Sequence, residues 1–207
     1  MKVIIVSGTP GTGKTTLAKK LAKKLGFDYI DANKIIRRYG LSEGYDRKRK
    51  TKVIDVKKLN RALINEIRFI KKNSRKNYNS TTNSNEKIKS NKNKPIKNKN
   101  SIKIQKNKKP IKKAMVIDSH LSHYLPSKYV DLCIVTKCDL KILKNRLKRK
   151  KYSENKIREN LDAEIFDICL NEAQESKHNV IVIDTTKGIN INSISKKIGD
   201  FIDIKQS

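Results

Sequence analysis

Short runs of branched apolar residues alternate along the chain with longer segments whose apolar residues recur every three or four positions. The short runs are typical of parallel strands buried on both faces, and the longer segments of amphipathic helices. The strand-like runs occupy residues 3–6, 27–31, 114–118, 131–135 and 180–184, and the helical spacing covers residues 17–25, 56–70, 140–147, about 155–176 and 191–204. This alternation predicts a doubly wound α/β fold, a five-stranded parallel sheet with helices on both faces.

The segment from residue 71 to residue 113 interrupts this pattern. It holds sixteen Lys or Arg and one acid, Glu86, with ten Asn between residues 73 and 107. Such a composition buries too little apolar surface to offset the entropy of ordering. We therefore predict a disordered Lys- and Asn-rich insertion that divides one folded domain into residues 1–70 and 114–207. An electrostatic arm for RNA is the functional alternative, but Tyr78 is its lone aromatic residue, which favours a solvated insertion.

Composition narrows the function classes. The 207 residues suit one domain, and a net charge of +30 favours polyanionic partners such as nucleotides or nucleic acid. Cys133, Cys138 and Cys169 form no CxxC pair, so reduced thiols are expected. The apolar runs are too short for a signal peptide or a membrane span. A soluble protein of the cytoplasm, without membrane partners, is the expectation.

The clearest chemical motif is GTPGTGKT at residues 8–15, which fits GxxxxGK[ST] without a gap. It follows a predicted buried strand and opens a predicted helix, as a phosphate-binding loop does. Lys14 is expected to bridge the β- and γ-phosphates, and the Thr15 hydroxyl to ligate Mg²⁺. The ligand is therefore ATP or another nucleoside triphosphate with magnesium. The predicted nucleotide contacts are Gly11, Gly13, Lys14, Thr15 and Thr16.

A second candidate group follows the strand at residues 114–118. Asp118 ends that strand, where a carboxylate can orient the water shell of magnesium beside the phosphate loop; capping the following turn is the alternative role. His120 and His123 come directly after it, in a chain with three histidines. Since a lone histidine is more often structural, His123 is the weaker candidate of the two.

Four stretches together carry a family resemblance: residues 8–16 (GTPGTGKTT), 44–46 (GYD), 116–120 (VIDSH) and 160–165 (NLDAEI). The chain resembles the small archaeal and eukaryotic adenylate kinase family, of the type called adenylate kinase isoenzyme six or nuclear coilin-interacting ATPase. The resemblance implies a P-loop nucleoside monophosphate kinase fold that transfers the γ-phosphoryl group of Mg-ATP to AMP. It also implies ATPase activity, a role in small ribosomal subunit maturation, and binding to a platform ribosomal protein of the S-eleven type, with contact to pre-ribosomal RNA.

The same resemblance implies further site residues. Residues 31–54 would form the monophosphate-binding segment, with Arg37 on the acceptor phosphate, and residues 149–159 a short lid. Asp118 and His120 would serve as the family's second motif, positioning magnesium or water. Lys187 would lie near the adenine ring.

Two departures from the family pattern leave alternatives open. The lid begins Lys150-Lys151-Tyr152 where the family usually has Arg-Gly-Tyr, so either Lys150 or Arg149 is expected to grip ATP. Asp118-Ser119-His120 lacks the arginine of classical adenylate kinases. An ATPase assembly factor for the small ribosomal subunit with little kinase activity therefore stays an alternative. So do a small kinase with another acceptor and a basic RNA-binding module.

Overall fold

The apolar runs form the sheet that the sequence predicts. The computed structural model describes residues 1–47, 51–89 and 114–204. Its strands are β1 (Lys2–Gly8), β2 (Asp28–Asp31), β3 (Ser42–Asp46), β4 (Thr51–Ile54), β5 (Ala114–Asp118), β6 (Leu132–Lys137) and β7 (Val180–Asp184). Five of them form a wholly parallel sheet in the order β2-β5-β1-β6-β7. The carboxyl ends of these strands therefore meet along one edge of the sheet.

Helices cover both faces of this sheet, as predicted. They are α1 (Lys14–Leu25), α2 (Ala32–Arg38), α3 (Val56–Lys89), α4 (Leu140–Arg149), α5 (Glu154–Ile165), α6 (Ile168–Glu175) and α7 (Ile191–Ile204). In β1, Val3 and Ile5 pack with α2, α3 and α6, whereas Ile4 and Val6 pack with α1 and α7. Burying each of these side chains contributes about 1.5–3 kcal/mol, so the central strand anchors two cores at once.

One helix extends well past its predicted end. The helix expected to end at residue 70 continues to Lys89, because neither Gly nor Pro interrupts the sequence from Val56 to that point. The start of the predicted insertion is thus helical. Residues 90–113 lie outside the described residues, and the disorder predicted for them stays a prediction, as do the domain boundaries drawn around them.

The helix predicted over about residues 155–176 is two helices. The break falls at Phe166 and Asp167, where Asp167 adopts a left-handed conformation with φ 53°. Asp tolerates this conformation better than most residues, and its carboxylate forms an ion pair with Lys137 at the end of β6. Periodicity alone does not reveal such a break.

The hairpin of β3 and β4 was not predicted, since Ser42-Glu43-Gly44-Tyr45-Asp46 has few residues that favour strands. It lies within the predicted monophosphate-binding segment, residues 31–54, together with α2. Throughout the described part of the chain, no helix combines the length and the apolar composition that crossing a membrane requires.

Candidate active site

The phosphate loop connects β1 to α1 in a backbone conformation that requires glycine. Gly8 has φ 133°, and a Cβ atom there would lie 2.5 Å from the Thr136 carbonyl oxygen. Gly13 caps the N-terminus of α1 with φ 93°. Because these residues carry no side chain, the loop packs directly against β6 and presents its backbone N–H groups at a helix N-terminus, the arrangement that binds phosphate.

A set of hydroxyl groups fixes the loop to the neighbouring strands. The Thr12 hydroxyl lies 2.7 Å from the Thr136 hydroxyl, and the Thr185 hydroxyl donates to the Thr12 carbonyl oxygen at 2.6 Å. Arg146 in turn donates to the Thr185 carbonyl oxygen at 2.8 Å. The loop is therefore held in place from β6, from the end of β7 and from α4 before any ligand arrives.

The Lys14 side chain is buried against the phosphate loop. Its Nζ donates to the Thr9 carbonyl oxygen at 3.0 Å. Burial lowers the pKa of Lys14 to about 8, although the Cys169 thiol and the Asp118 carboxylate nearby act in the opposite direction. A phosphate group in the loop would give this ammonium an anionic partner.

Asp118 lies beside the loop, as the sequence predicts. It pairs with Val6 in the register of β5 and β1, so its side chain emerges next to the start of the phosphate loop. The carboxylate is buried and accepts a hydrogen bond of 3.0 Å from the Tyr29 hydroxyl on β2. Its location supports a role in magnesium binding better than a role as a turn cap.

The two histidines of the second motif have separate surroundings. The His120 side chain is exposed to the cleft in front of the loop. Enclosure by the protein, together with the charge of Lys14, lowers the pKa of His120 to about 4, so the imidazole is neutral at pH 7. His123 is buried and does not line the cleft.

A cleft of about 800 Å³ runs along the carboxyl edge of the sheet, with the phosphate loop at its centre. This volume is at the upper end of the range for small-molecule sites. Basic side chains dominate the cleft, with Asp118 as its acidic residue. The residues that line it include Gly11, Gly13, Lys14, Thr15, Thr16, Lys20, Asn33, Asp118, Ser119, His120, Arg146, Arg149, Lys150, Tyr152, Lys156, Thr185, Gly188 and Ile189.

The predicted lid, residues 149–159, consists of the end of α4, a tight turn and the first half of α5. Lys150 caps the end of α4, and Lys151 adopts a left-handed conformation with φ 57°. Ser153 caps the start of α5, and the Lys156 ammonium lies 4.5 Å from the centre of the Tyr152 ring. The turn thus brings cations from two helices to one side of the cleft.

The structure does not bring every predicted residue to the cleft. Arg37 is exposed in the last turn of α2 and does not line it. Lys187 is also exposed and outside the lining, although the next residue, Gly188, lines the cleft. Because α2 and the loop after β7 flank the cleft, the roles expected of Arg37 and Lys187 stay predictions.

Sequence reasoning missed several lining residues, chiefly Lys20, Asn33, Arg146, Tyr152, Lys156 and Thr185. Tyr152 and Arg146 had the best signals, because they lie in the lid motif and one helical turn before it. No sequence motif marks Thr185 or Asn33. They join the site only because β7 and β2 end at the same edge of the sheet as β1.

Magnesium fits the donors at this edge. Thr15 and Asp118 both line the cleft, where the hydroxyl and the carboxylate would supply hard oxygen ligands, and Mg²⁺ keeps several waters or phosphate oxygens in addition. Within the described residues no three His, Cys, Asp or Glu side chains cluster as a closed metal site. A magnesium ion that arrives with a triphosphate does not need such a cluster.

Comparisons with known proteins agree with this arrangement. Residues 4–167 match the model of a family described as "AAA domain". A protein of Thermococcus kodakarensis named "Putative adenylate kinase" is 33% identical over 185 residues, which cover 89% of this chain and 76% of that protein. The "Adenylate kinase isoenzyme 6 homolog" of Caenorhabditis elegans is 29% identical over 204 residues, covering 96% and 90% of the two chains. With its P-loop nucleotide kinase fold, the chain belongs to the small adenylate kinase family that archaea and eukaryotes share.

Proposed function

We propose that the protein is an ATP:AMP phosphotransferase, which converts Mg-ATP and AMP into two ADP. The observation that carries the proposal is the extent of the cleft on both sides of Lys14. On one side it reaches Arg146 and Gly188, at the ends of α4 and β7, and on the other it reaches Asn33 and His120. A cleft with the phosphate loop at its centre has space for a donor nucleotide on one side and an acceptor on the other.

The donor side derives its chemistry from the phosphate loop. Backbone N–H groups of the loop bind the β-phosphate, Lys14 bridges the β- and γ-phosphates, and Thr16 reaches the α-phosphate. Bound magnesium, held by Thr15 and Asp118, would neutralise charge on the β- and γ-oxygens. The surrounding cations fix the triphosphate and stabilise the charge that develops on the transferring group.

In the transfer step, an oxygen of the acceptor monophosphate forms a bond to the γ-phosphorus while the bond to the β–γ bridging oxygen breaks, leaving ADP on each side. The protein's contribution is positioning and positive charge rather than a covalent intermediate. Arg149 and Lys150, on the lid turn, are the cations assigned to the donor phosphates, and closure of that turn would exclude water. Arg37 would reach the acceptor phosphate, and Lys187 the adenine ring, only after α2 and the loop after β7 move towards the cleft.

The test is ADP formation from Mg-ATP by the purified protein, titrated separately with AMP, CMP, UMP and GMP. AMP should stimulate ADP formation well above the rate with ATP alone, and Lys14→Ala should abolish the stimulation. Lys23→Ala removes an exposed lysine from the same helix and should have no effect. If a different monophosphate stimulates ADP formation, that nucleotide is the acceptor in place of AMP. Slow ATP hydrolysis that none of the four monophosphates changes would overturn the kinase proposal.

A second candidate function, an ATPase that assists small ribosomal subunit maturation, is favoured by the surface of α5 and α6. Residues 154–175 hold seven of the twenty acids of the chain, all but the buried Glu164 at least partly exposed, and only two basic residues, in a protein of net charge +30. Ile165, Phe166 and Ile168 are exposed within this acidic surface, at 53%, 66% and 41%. An acidic surface with an apolar centre suits a basic protein such as a platform ribosomal protein of the S-eleven type.

This second candidate is tested by binding of the purified ribosomal protein. Phe166→Ser together with Asp162→Lys should weaken binding by more than tenfold, on the scale expected when an apolar anchor and a complementary charge are lost. Phe69→Ser with Glu43→Lys is the matched control, because both residues are exposed elsewhere. Equal binding by both variants would exclude the α5–α6 surface as the docking site.

A further inference from the structure

The buried imidazole of His123 connects two residues that the proposed mechanism does not use. Its Nδ1 lies 2.6 Å from the Ser7 hydroxyl, and its Nε2 lies 2.8 Å from Oε2 of Glu172, off the ideal direction for an N–H···O bond. The other oxygen of Glu172 accepts from the Tyr124 hydroxyl at 2.7 Å. The ring therefore spans from the last residue before the phosphate loop to helix α6.

The surroundings of His123 fix its protonation. Burial lowers the pKa of His123 below its usual value, against the opposing influence of Glu172, so the ring is neutral at pH 7. His178 and Lys14 also face it and favour the neutral form, and His178 Nε2 lies 2.9 Å from the His123 carbonyl oxygen. Since a carboxylate only accepts, Nε2 carries the proton, and Nδ1 accepts from the Ser7 hydroxyl.

This arrangement has the residue types of a hydrolytic triad, yet its geometry excludes that chemistry. The Ser7 side chain is fully buried and does not line the cleft. No substrate carbonyl can approach its oxygen, and nucleophilic catalysis requires that approach. The contact of Ser7 with His123 therefore has a structural role, which is to hold a backbone segment in place.

The segment that it positions is the turn at residues 119–124, which carries His120 to the cleft. The Ser119 N–H and the Ser122 hydroxyl both donate to the Val6 carbonyl oxygen, each at 3.3 Å. The Ser7 hydroxyl oxygen lies 3.4 Å from the His120 carbonyl oxygen, in addition to its short contact with His123. Because the single Ser7 hydroxyl proton is donated to His123, three hydrogen bonds fasten the turn to the end of β1, and the bond between Ser7 and His123 is the shortest of them.

We propose that His123 is a positioning residue that holds the His120 turn against the end of β1 through Ser7. The expected effect on the reaction rate rests on the proposed phosphotransferase function, whereas the positioning of the turn does not. Losing the His123 contact lets the turn move, and His120 moves with it. Misplacement of a group in the site by about 1 Å costs up to a hundredfold in rate, so a loss of about tenfold in kcat is expected.

The kinetic test compares His123→Phe, His123→Asn and wild type, each with His120 intact and with His120→Ala. His123→Phe should lower kcat about tenfold with little change in the KM for Mg-ATP, and the Asn amide, which can bond to Ser7, should recover most of the rate. In the His120→Ala background, His123→Phe should cause no further loss. An equal loss in both backgrounds would overturn the proposal, as would an unchanged kcat with His120 intact.

A second measurement does not depend on activity. The chain has three histidines, so ring ¹H–¹⁵N spectra resolve each one. Ser7→Ala should shift the ring signals of both His123 and His120, whereas Ser195→Ala, which removes another buried hydroxyl on the opposite face, should shift neither. A response of His123 alone would refute the coupling even if kinase activity were present. These spectra test the coupling between Ser7, His123 and His120 even if the protein proves to have no kinase activity.

Discussion

The Tyr29 hydroxyl donates a 3.0 Å hydrogen bond to Oδ2 of Asp118, joining the edge strand β2 to its neighbour β5. Burial and the negative charge of Asp118 both raise the pKa of Tyr29 above its usual value, so the phenol is protonated and donates at neutral pH. The bond occupies one oxygen of the carboxylate. It orients the carboxylate and leaves the other oxygen for the magnesium ion, or its bound water, that Asp118 would hold.

Tyr29→Phe should therefore raise the magnesium concentration needed for half-maximal ADP formation. Loss of a hydrogen bond behind a metal-binding carboxylate typically weakens metal affinity by about tenfold or more. The measurement is ADP formation at saturating ATP and AMP across a magnesium titration. Tyr45→Phe, on the β3–β4 hairpin and 58% exposed, is the control. An identical magnesium dependence for the two variants would mean that Tyr29 does not orient Asp118.

Lys14 should give the enzyme an alkaline limit. Because burial lowers its pKa to about 8, the free protein loses this positive charge as the pH rises through that value. The kcat/KM for Mg-ATP reports the ionisation of the free enzyme, and it should fall above pH 8. The lowered pKa of Lys14 also predicts how the free energy of unfolding changes with pH. The unfolded chain holds this proton more tightly, so the contribution of Lys14 to stability increases from pH 8 to about 10.5.

The control for this limit is Lys14→Arg, since a guanidinium keeps its charge at every pH of the assay. That variant will be slower, but its kcat/KM should not decline between pH 8 and 9.5. A decline of the same shape in both proteins would assign the limit to another group. The stability sign is checked by chemical denaturation of Lys14→Met beside wild type at pH 7.5 and 9.5.

The sequence predicted those parts of the site that directly follow a recognisable strand and belong to a motif. Val3 to Val6 marks β1, so the loop after it opens at the carboxyl edge of the sheet. Asp118 ends another parallel strand and opens at the same edge, and the P-loop fold that the motif implies places β5 next to β1. Thr185 and Asn33 were not predicted, because they enter the cleft through the order of the strands in the sheet. A sequence pattern carries no record of that order. Arg37 was assigned to the acceptor phosphate by a motif, and that assignment stays a prediction, since a motif places a residue in a region but does not fix its side chain.

Lys151 in the lid turn should stabilise the protein when it is replaced by glycine. Its φ of 57° follows the C-cap of α4, a position where glycine avoids a Cβ clash worth about 1 kcal/mol. Lys151→Gly should raise the free energy of unfolding by roughly this amount in urea denaturation. Lys148→Gly removes the same charge from within α4 and should lower it by about 1 kcal/mol. A destabilised Lys151→Gly would mean that the lysine has a stabilising contact that outweighs its backbone strain.

We expect Thr185 to keep the phosphate loop in the conformation that binds ATP. Its hydroxyl donates to the Thr12 carbonyl oxygen at 2.6 Å, while Arg146 donates to the Thr185 carbonyl oxygen at 2.8 Å. Thr185→Val keeps the shape of the side chain but leaves the buried Thr12 carbonyl without this donor, which costs about 1–3 kcal/mol of stability. Because the loop then loses an anchor, the Kd for ATP measured by calorimetry should rise about tenfold, as expected for a shift of about 1.4 kcal/mol.

The neighbouring Thr186 provides a matched control for that experiment. Its hydroxyl contacts Asp184 at 2.5 Å and accepts from the Asp139 N–H at 2.9 Å, without reaching the phosphate loop. Thr186→Val should therefore lower stability while leaving the Kd for ATP unchanged. If both substitutions weaken ATP binding equally, the effect arises from general loosening of the segment after β7. If only Thr185→Val weakens it, the hydrogen bond to Thr12 is what holds the loop in its phosphate-binding shape.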